Sequence, residues 1–114
     1  MHELSIALCM IDQIHEELEK HGGGTVEIIH LKIGVLSGVD GNALRSAYEL
    51  ASEGTDLERS VLEIETVSLL VYCPMCGITH APSGLDVVCP HCVTPAQEIL
   101  HGRELEVVSL EIAA

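Results

Sequence analysis

Between residues 4 and 20 apolar side chains recur every three or four positions. Leu4, Ala7, Leu8, Ile11, Ile14, His15 and Leu18 form one stripe, and Asp12, Gln13, Glu16, Glu19 and Lys20 take the opposite side. That period predicts an amphipathic helix. Gly22-Gly23-Gly24 predicts its end, because glycine accepts a left-handed exit conformation. From Val26 to Leu36 the period shortens to two. Ile29, Leu31, Ile33 and Val35 share one face, with Val26, Ile28, His30 and Lys32 on the other, as in a strand covered mainly on one side. Glu27 falls on the apolar face and is expected at a fraying end. Residues 37 to 42 read as a turn, with Asp40 or Asn42 placed to cap a second helix whose stripe is Leu44, Ala47, Tyr48 and Ala51. Gly54 is expected to end it. A second strand fits residues 61 to 71, with imperfect alternation. A third fits residues 104 to 112, with Val108, Leu110 and Ile112 lining one face.

Residues 72 to 101 break this regularity. They hold four of the five Cys, all four Pro and three of the seven His, with little periodicity. The fold class expected is therefore α+β: two helices on a small, mainly antiparallel three-stranded sheet, with an inserted zinc-ribbon-like module. The discontinuous larger domain would comprise residues 1–71 and 102–114, and the module residues 72–101.

Charge narrows the function. Five Lys and Arg against 18 Asp and Glu leave a formal net charge of −13. Nucleic-acid binding and docking on anionic lipid both need basic side chains, so neither is expected. No apolar run approaches the roughly 20 residues that span a bilayer, and no secretory signal is legible at the start, so the expected compartment is the cytoplasm. No Trp or Phe is present, so the core must be aliphatic. An odd cysteine count in a reducing compartment points to metal before disulfides.

Cys73-Pro-Met-Cys76 and Cys89-Pro-His-Cys92 are two CxxC knuckles separated by twelve residues. Each turn aims two sulfurs at one point, and two such pairs offer four thiolates in a tetrahedron, the arrangement of structural zinc. Iron in a rubredoxin-like site is the chemical competitor. About thirty residues fall below the ~40 at which a chain buries enough to fold unaided. With four protein ligands the ion keeps no open position, so the zinc expected here is structural. Thiol–disulfide exchange is the rival use of CxxC, but it is usually set at a helix N-terminus, and neither pair is placed there.

The chain begins Met1-His2-Glu3. The α-amine of Met1, the backbone nitrogen of residue 2 and the His2 imidazole can chelate one ion through fused five- and six-membered rings. In-plane nitrogen donors suit Ni(II) or Cu(II). From residue chemistry alone the plainer reading comes first: Glu3 favours the positive end of the helix and His2 is simply exposed.

The order of MHELS at the start, IGVLSGVD through Asp40, SAYE in the second helix, the paired CxxC knuckles and GRELEVVSLEI at the end closely resembles the hydrogenase maturation nickel metallochaperones, the HypA/HybF family. The resemblance spans nearly the whole chain. It implies a cytoplasmic protein that carries Ni(II) to [NiFe]-hydrogenase. Its partners would be a nickel-handling maturation GTPase and the hydrogenase large-subunit precursor, with urease maturation proteins in some bacteria. It further implies that nickel is bound at His2, with Glu3 and Asp40 as supporting groups, and the chelate chemistry of the start adds the Met1 amine. The zinc ligands implied are Cys73, Cys76, Cys89 and Cys92. Two features depart from the family pattern. Val93 stands after the second CxxC where glycine is common, and Ala47 and Tyr48 stand where phenylalanine is common.

Among the other candidates, Cys9 reads as a small packed residue and His15 as a packed or hydrogen-bonded core histidine. His80 and His91 are competent zinc ligands, though solvent exposure or hydrogen bonding around the site is the simpler reading. His21, His30 and His101 read as surface residues. Glu63, Glu65, Glu104 and Glu106 read as a solvated sheet face able to attract a basic partner. No nucleophile–base pair, phosphate loop or open metal position is legible, so delivery is expected and catalysis is not. The alternative is a zinc-ribbon protein-interaction module with no nickel role.

Overall fold

The computed structural model describes residues 3–82, 87–93 and 97–113. Helix α1 (Glu3–Lys20) ends where the triglycine begins, with the Gly23 amide donating to the Leu18 carbonyl. Strand β1 (Thr25–Gly34), helix α2 (Gly41–Ser52) and strand β2 (Val61–Val67) follow. Then come β3 (Leu70–Cys73), β4 (Ile78–His80), β5 (Glu98–His101) and β6 (Leu105–Ala113). They make two three-stranded sheets, ordered β2-β1-β6 and β4-β3-β5.

The β1–β6, β3–β4 and β3–β5 pairings are antiparallel, so the α+β, antiparallel-rich class holds. The sheet under the helices is nonetheless mixed, because β1 and β2 run parallel. The cause is α2, since a helical crossover returns the chain in the direction it left.

Both helices cover one face of that sheet. Ile6, Ala7, Met10, Ile11, Ile14 and Leu18 of α1 meet Leu44 and Tyr48 of α2 over Val26, Ile29, Leu31, Ile33 and Leu62. The buried stripe of α1 is thus rotated from the one expected. Leu4 and Leu8 are exposed and His15 lies at the margin, while Ile6 and Met10 go inward. Periodicity fixes that a helix is amphipathic; which of two adjacent apolar rows is buried depends on what it packs against. Cys9 is exposed rather than packed, for the same reason.

Two strand registers also depart from the expected alternation. Glu27 is the extra residue of a bulge in β1, since Val26 faces Ile112 and Ile28 faces Glu111. The bulge resets the alternation, so Val26 joins Ile29 in the core and Glu27 turns to solvent. Another irregularity makes Val108 the extra residue of β6. Val107 and Leu110 therefore pack on the core, and Val108 is exposed instead of sharing Leu110's face.

The strand expected over residues 61 to 71 is two strands in different sheets. The chain changes sheet at Ser68 and the buried Leu69, and it returns through Gly102 and Arg103. At this junction Gly34 lies against Gly102, so close that a Cβ on Gly34 would sit 2.1 Å from the Gly102 carbonyl. The Gly34 amide donates to the Glu104 carbonyl at 2.7 Å, and the Leu36 amide to the Gly102 carbonyl at 2.6 Å. Only a residue without a side chain fits at Gly34 while keeping both bonds.

Candidate metal centre

Strand β3 ends in Cys73, and the chain turns at once through Pro74, Met75 and Cys76 into β4. The turn closes with the Gly77 amide donating to the Cys73 carbonyl at 2.7 Å, and Gly77 has φ +70°. The second knuckle repeats this geometry. The Val93 amide donates to the Cys89 carbonyl at 2.9 Å, and Val93 has φ +57°. Both knuckles therefore demand a left-handed residue after the second cysteine. Glycine meets that demand freely, whereas a β-branched side chain is strained there. The departure seen at Val93 leaves the knuckle's shape intact and places the strain in one exposed residue.

The two knuckles meet sulfur to sulfur. Cys73 Sγ lies 3.5 Å from Cys92 Sγ, and Cys89 Sγ lies 3.9 Å from Cys76 Sγ. All four sulfurs fall within 4.8 Å of one another. Sulfurs held ~2.3 Å from one zinc in a tetrahedron stand roughly 3.8 Å apart, so the donor set and its spacing fit zinc. No disulfide joins them. Cys73 and Cys89 are buried, while Cys76 and Cys92 are exposed.

Cys73 and Cys76 are pushed in opposite directions. A hydrogen bond from the Gln97 side chain, with help from the Cys76 backbone, draws Cys73 down to about 6 against burial. Cys76 is pushed up to about 12, first by its contact with Cys92, then by desolvation of its sulfur among its neighbours and by the Cys89 and Cys73 sulfurs. Crowded thiols resist sharing negative charge, and a divalent cation at their centre removes that resistance. Gln97 had no sequence signal, lying outside both knuckles.

Among the described residues this is the one cluster able to hold a metal ion. Neither ring nitrogen of His80 has a hydrogen-bond partner among those residues, although both atoms are buried. His91 is exposed.

The four residues expected around nickel fall differently. Met1 and His2 lie outside the described residues. Glu3 is half-buried in the first turn of α1. Asp40 is the N-cap of α2, its Oδ1 accepting from the amides of Asn42 at 2.9 Å and Ala43 at 3.5 Å. Capping leaves Asp40 Oδ2 without a partner among the described residues.

Other histidines are tied to carboxylates. His15 Nε2 lies 2.7 Å from Asp56 Oδ1, linking α1 to the loop after α2. His30 is half-buried rather than fully on the surface. It stands between two strands' carboxylates, 2.5 Å from Glu111 Oε2 and 3.5 Å from Glu63 Oε2. Glu104 leaves the acidic sheet face to which it was assigned. It folds over the junction, accepting from His101 Nδ1 at 2.9 Å and from the Gly102 amide at 2.7 Å. These bonds, the His101 bond foremost, hold its carboxyl below the usual range. Tyr48 is buried at the helix–sheet interface, its hydroxyl 2.5 Å from Ser60 Oγ, which is what lets a tyrosine replace an apolar ring there.

The sequence model of one family, described as hydrogenase/urease nickel incorporation, metallochaperone, hypA, matches residues 1–112. A hydrogenase maturation factor HypA from Thermomicrobium roseum is 41% identical to this chain, over 98% of each. The namesake from Chloroflexus aggregans is also 41% identical, over 97% of this chain and 98% of its own. The solution structure of the Ni metallochaperone HypA from Helicobacter pylori superposes with a TM-score of 0.72 at 28% identity, covering 100% of this chain and 99% of that one. With a paired-knuckle metal centre, a helix-backed sheet and matches running nearly end to end, this chain belongs to the HypA family of hydrogenase and urease nickel-incorporation metallochaperones.

Proposed function

We propose that this chain carries Ni(II) at its N-terminus and delivers it for maturation of [NiFe]-hydrogenase. The ion would be held by the Met1 amine, the backbone nitrogen of residue 2 and the His2 imidazole. Glu3 would add a carboxylate from the first turn of α1, and Asp40 would steady the site through its uncommitted Oδ2. Cys73, Cys76, Cys89 and Cys92 would hold a structural zinc. The observation that carries the reading is the family match from residue 1 to residue 112, which includes both the Met1-His2-Glu3 start and the four cysteines.

Chemistry supports the division of labour. Four thiolates fill every position of a tetrahedral ion, so that centre has no vacancy for a cargo to enter and leave. A chelate of nitrogen donors would let a competing site strip the ion one donor at a time. The receiving partners in this reading are a nickel-handling maturation GTPase and the hydrogenase large-subunit precursor, with urease maturation proteins as further clients. The cytoplasm is the compartment where they would meet. No described helix is long and apolar enough to cross a membrane. Residues 1–71 with 102–114 would form the nickel unit, and residues 72–101 the zinc unit. Neither centre asks for catalysis by this chain.

The deciding measurement is calorimetric titration of Ni(II) into untagged protein and its His2→Ala variant. Loss of nickel uptake with zinc content unchanged is expected. Equal nickel stoichiometry in the two proteins would refute the assignment. Protons compete for the imidazole and the amine, so nickel binding should weaken as pH falls.

A further inference from the structure

β6 is the outer strand of the helix-backed sheet, with β1 on one side and no strand on the other among the described residues. Its nine residues present backbone donors and acceptors along roughly 30 Å. Natural edges of that length are usually blunted by charge, by bulges or by a covering element. Here Val108 is the extra residue of a bulge, yet it and Ile112 stay exposed. A groove of about 670 Å³ runs between this edge and α1, lined by Ile14, Val107 and Leu110, with Glu16 and Glu17 on its helix wall. On the opposite face of the sheet Glu106 and Glu111 lie across from Lys32 and Ile28 of β1.

We propose that the β6 edge is a docking site for an extended segment of a basic partner protein, which adds as a fourth strand with apolar side chains turned into the groove and Lys or Arg side chains turned outward. Charge selects this occupant. Carboxylates rim the edge on both faces, with Glu16, Glu17, Glu106 and Glu111 outnumbering Lys20 and Lys32, while His21 stands beside Glu17 and His30 beside Glu111. The chain's net charge of −13 draws a cationic segment in from a distance. A second copy of this chain is disfavoured by the same charges. A two-fold axis between Val108 and Ser109 would set Glu106 of each copy opposite Glu111 of the other, and like charges directly opposed destabilise a strand pair. Main-chain hydrogen bonds would supply affinity, and the alternation of side chains would supply specificity.

The test uses the full zinc-loaded chain without nickel, so its outcome is independent of nickel carriage. The probe is a blocked hexapeptide of strictly alternating lysine and valine, titrated by amide NMR. Expected are shifts and new exchange protection confined to residues 105–112 and the facing turns of α1. The double variant Glu106→Lys, Glu111→Lys should weaken binding roughly tenfold. If that variant is poorly folded, Glu16→Gln with Glu17→Gln should weaken it by a smaller factor. Methylating the backbone nitrogens that face β6 should abolish binding, while methylating the alternate set should spare it. Equal affinity for an isomer with its lysines and valines in separate blocks would overturn the proposal. So would indifference to both methylation patterns, shifts located elsewhere, or sedimentation showing that the chain dimerises through β6.

Discussion

The helix-backed sheet and the cysteine sheet are built on opposite principles. In the first, two helices and three strands bury a continuous aliphatic cluster, and its one aromatic member, Tyr48, finds a hydroxyl partner in Ser60. In the second, β3, β4 and β5 have no covering helix among the described residues, and what these bury beyond Val71 is chiefly Cys73 and Cys89. One unit is held by area removed from water. The other substitutes a metal-centred crosslink for a core too small to form.

The largest effect should come from removing the metal or one of its donors. Cys73→Ser, or chelation of zinc, should unfold the cysteine sheet, since structural zinc contributes on the order of 10 kcal/mol. Amide dispersion would collapse across β3, β4 and β5, while exchange protection in β1 persists. Concurrent melting of β1 would show that the two units share one stabilising source and would break the contrast. Leu44→Ala is the reciprocal probe. Emptying this fully buried site should cost about 2–5 kcal/mol in urea unfolding of the helix-backed sheet and leave zinc content unchanged.

A smaller gain is expected from Val93→Gly. Relief of its left-handed backbone should stabilise the second knuckle by roughly 1 kcal/mol, offset in part by glycine's larger chain entropy. Slower zinc loss to a competing chelator would register it, and faster loss would mean that the valine side chain itself is needed.

The smallest effect belongs to the junction. Glu104 has a lowered folded-state pKa, so its stabilising bonds to His101 and Gly102 are fully present above the ordinary carboxylate value of about 4.3 and fade as pH falls through the lowered one. Glu104→Gln should therefore be less stable than the parent near neutrality and converge with it in acid. A gap that persists at low pH would mean that the carboxylate's charge plays no part.

Much of this was written in the chain before folding. The period in residues 4 to 20 and the triglycine after them located α1 to within a residue, because an amphipathic repeat and a helix stop are local properties. The knuckles were equally legible, since a CxxC turn carries its geometry in four residues. What failed did so where distant chain segments decide. The imperfect alternation over residues 61 to 71 was a change of sheet, and the misassigned faces of Val26 and Val108 were bulges that exist only relative to a partner strand. Gln97 on Cys73 and Glu104 at the junction left no local trace, because each acts across a fold-made contact.

Sequence alone thus determined the helices, the four metal-binding sulfurs, the acidic charge and the family resemblance, all of which depend on residue type and short-range spacing. Only tertiary structure decided that β1 and β2 run parallel, that α1 buries Ile6 and Met10 rather than Leu4 and Leu8, and that β6 has no second neighbour among the described strands. The physical reason is that a side chain's face has no meaning until a second surface arrives to cover it.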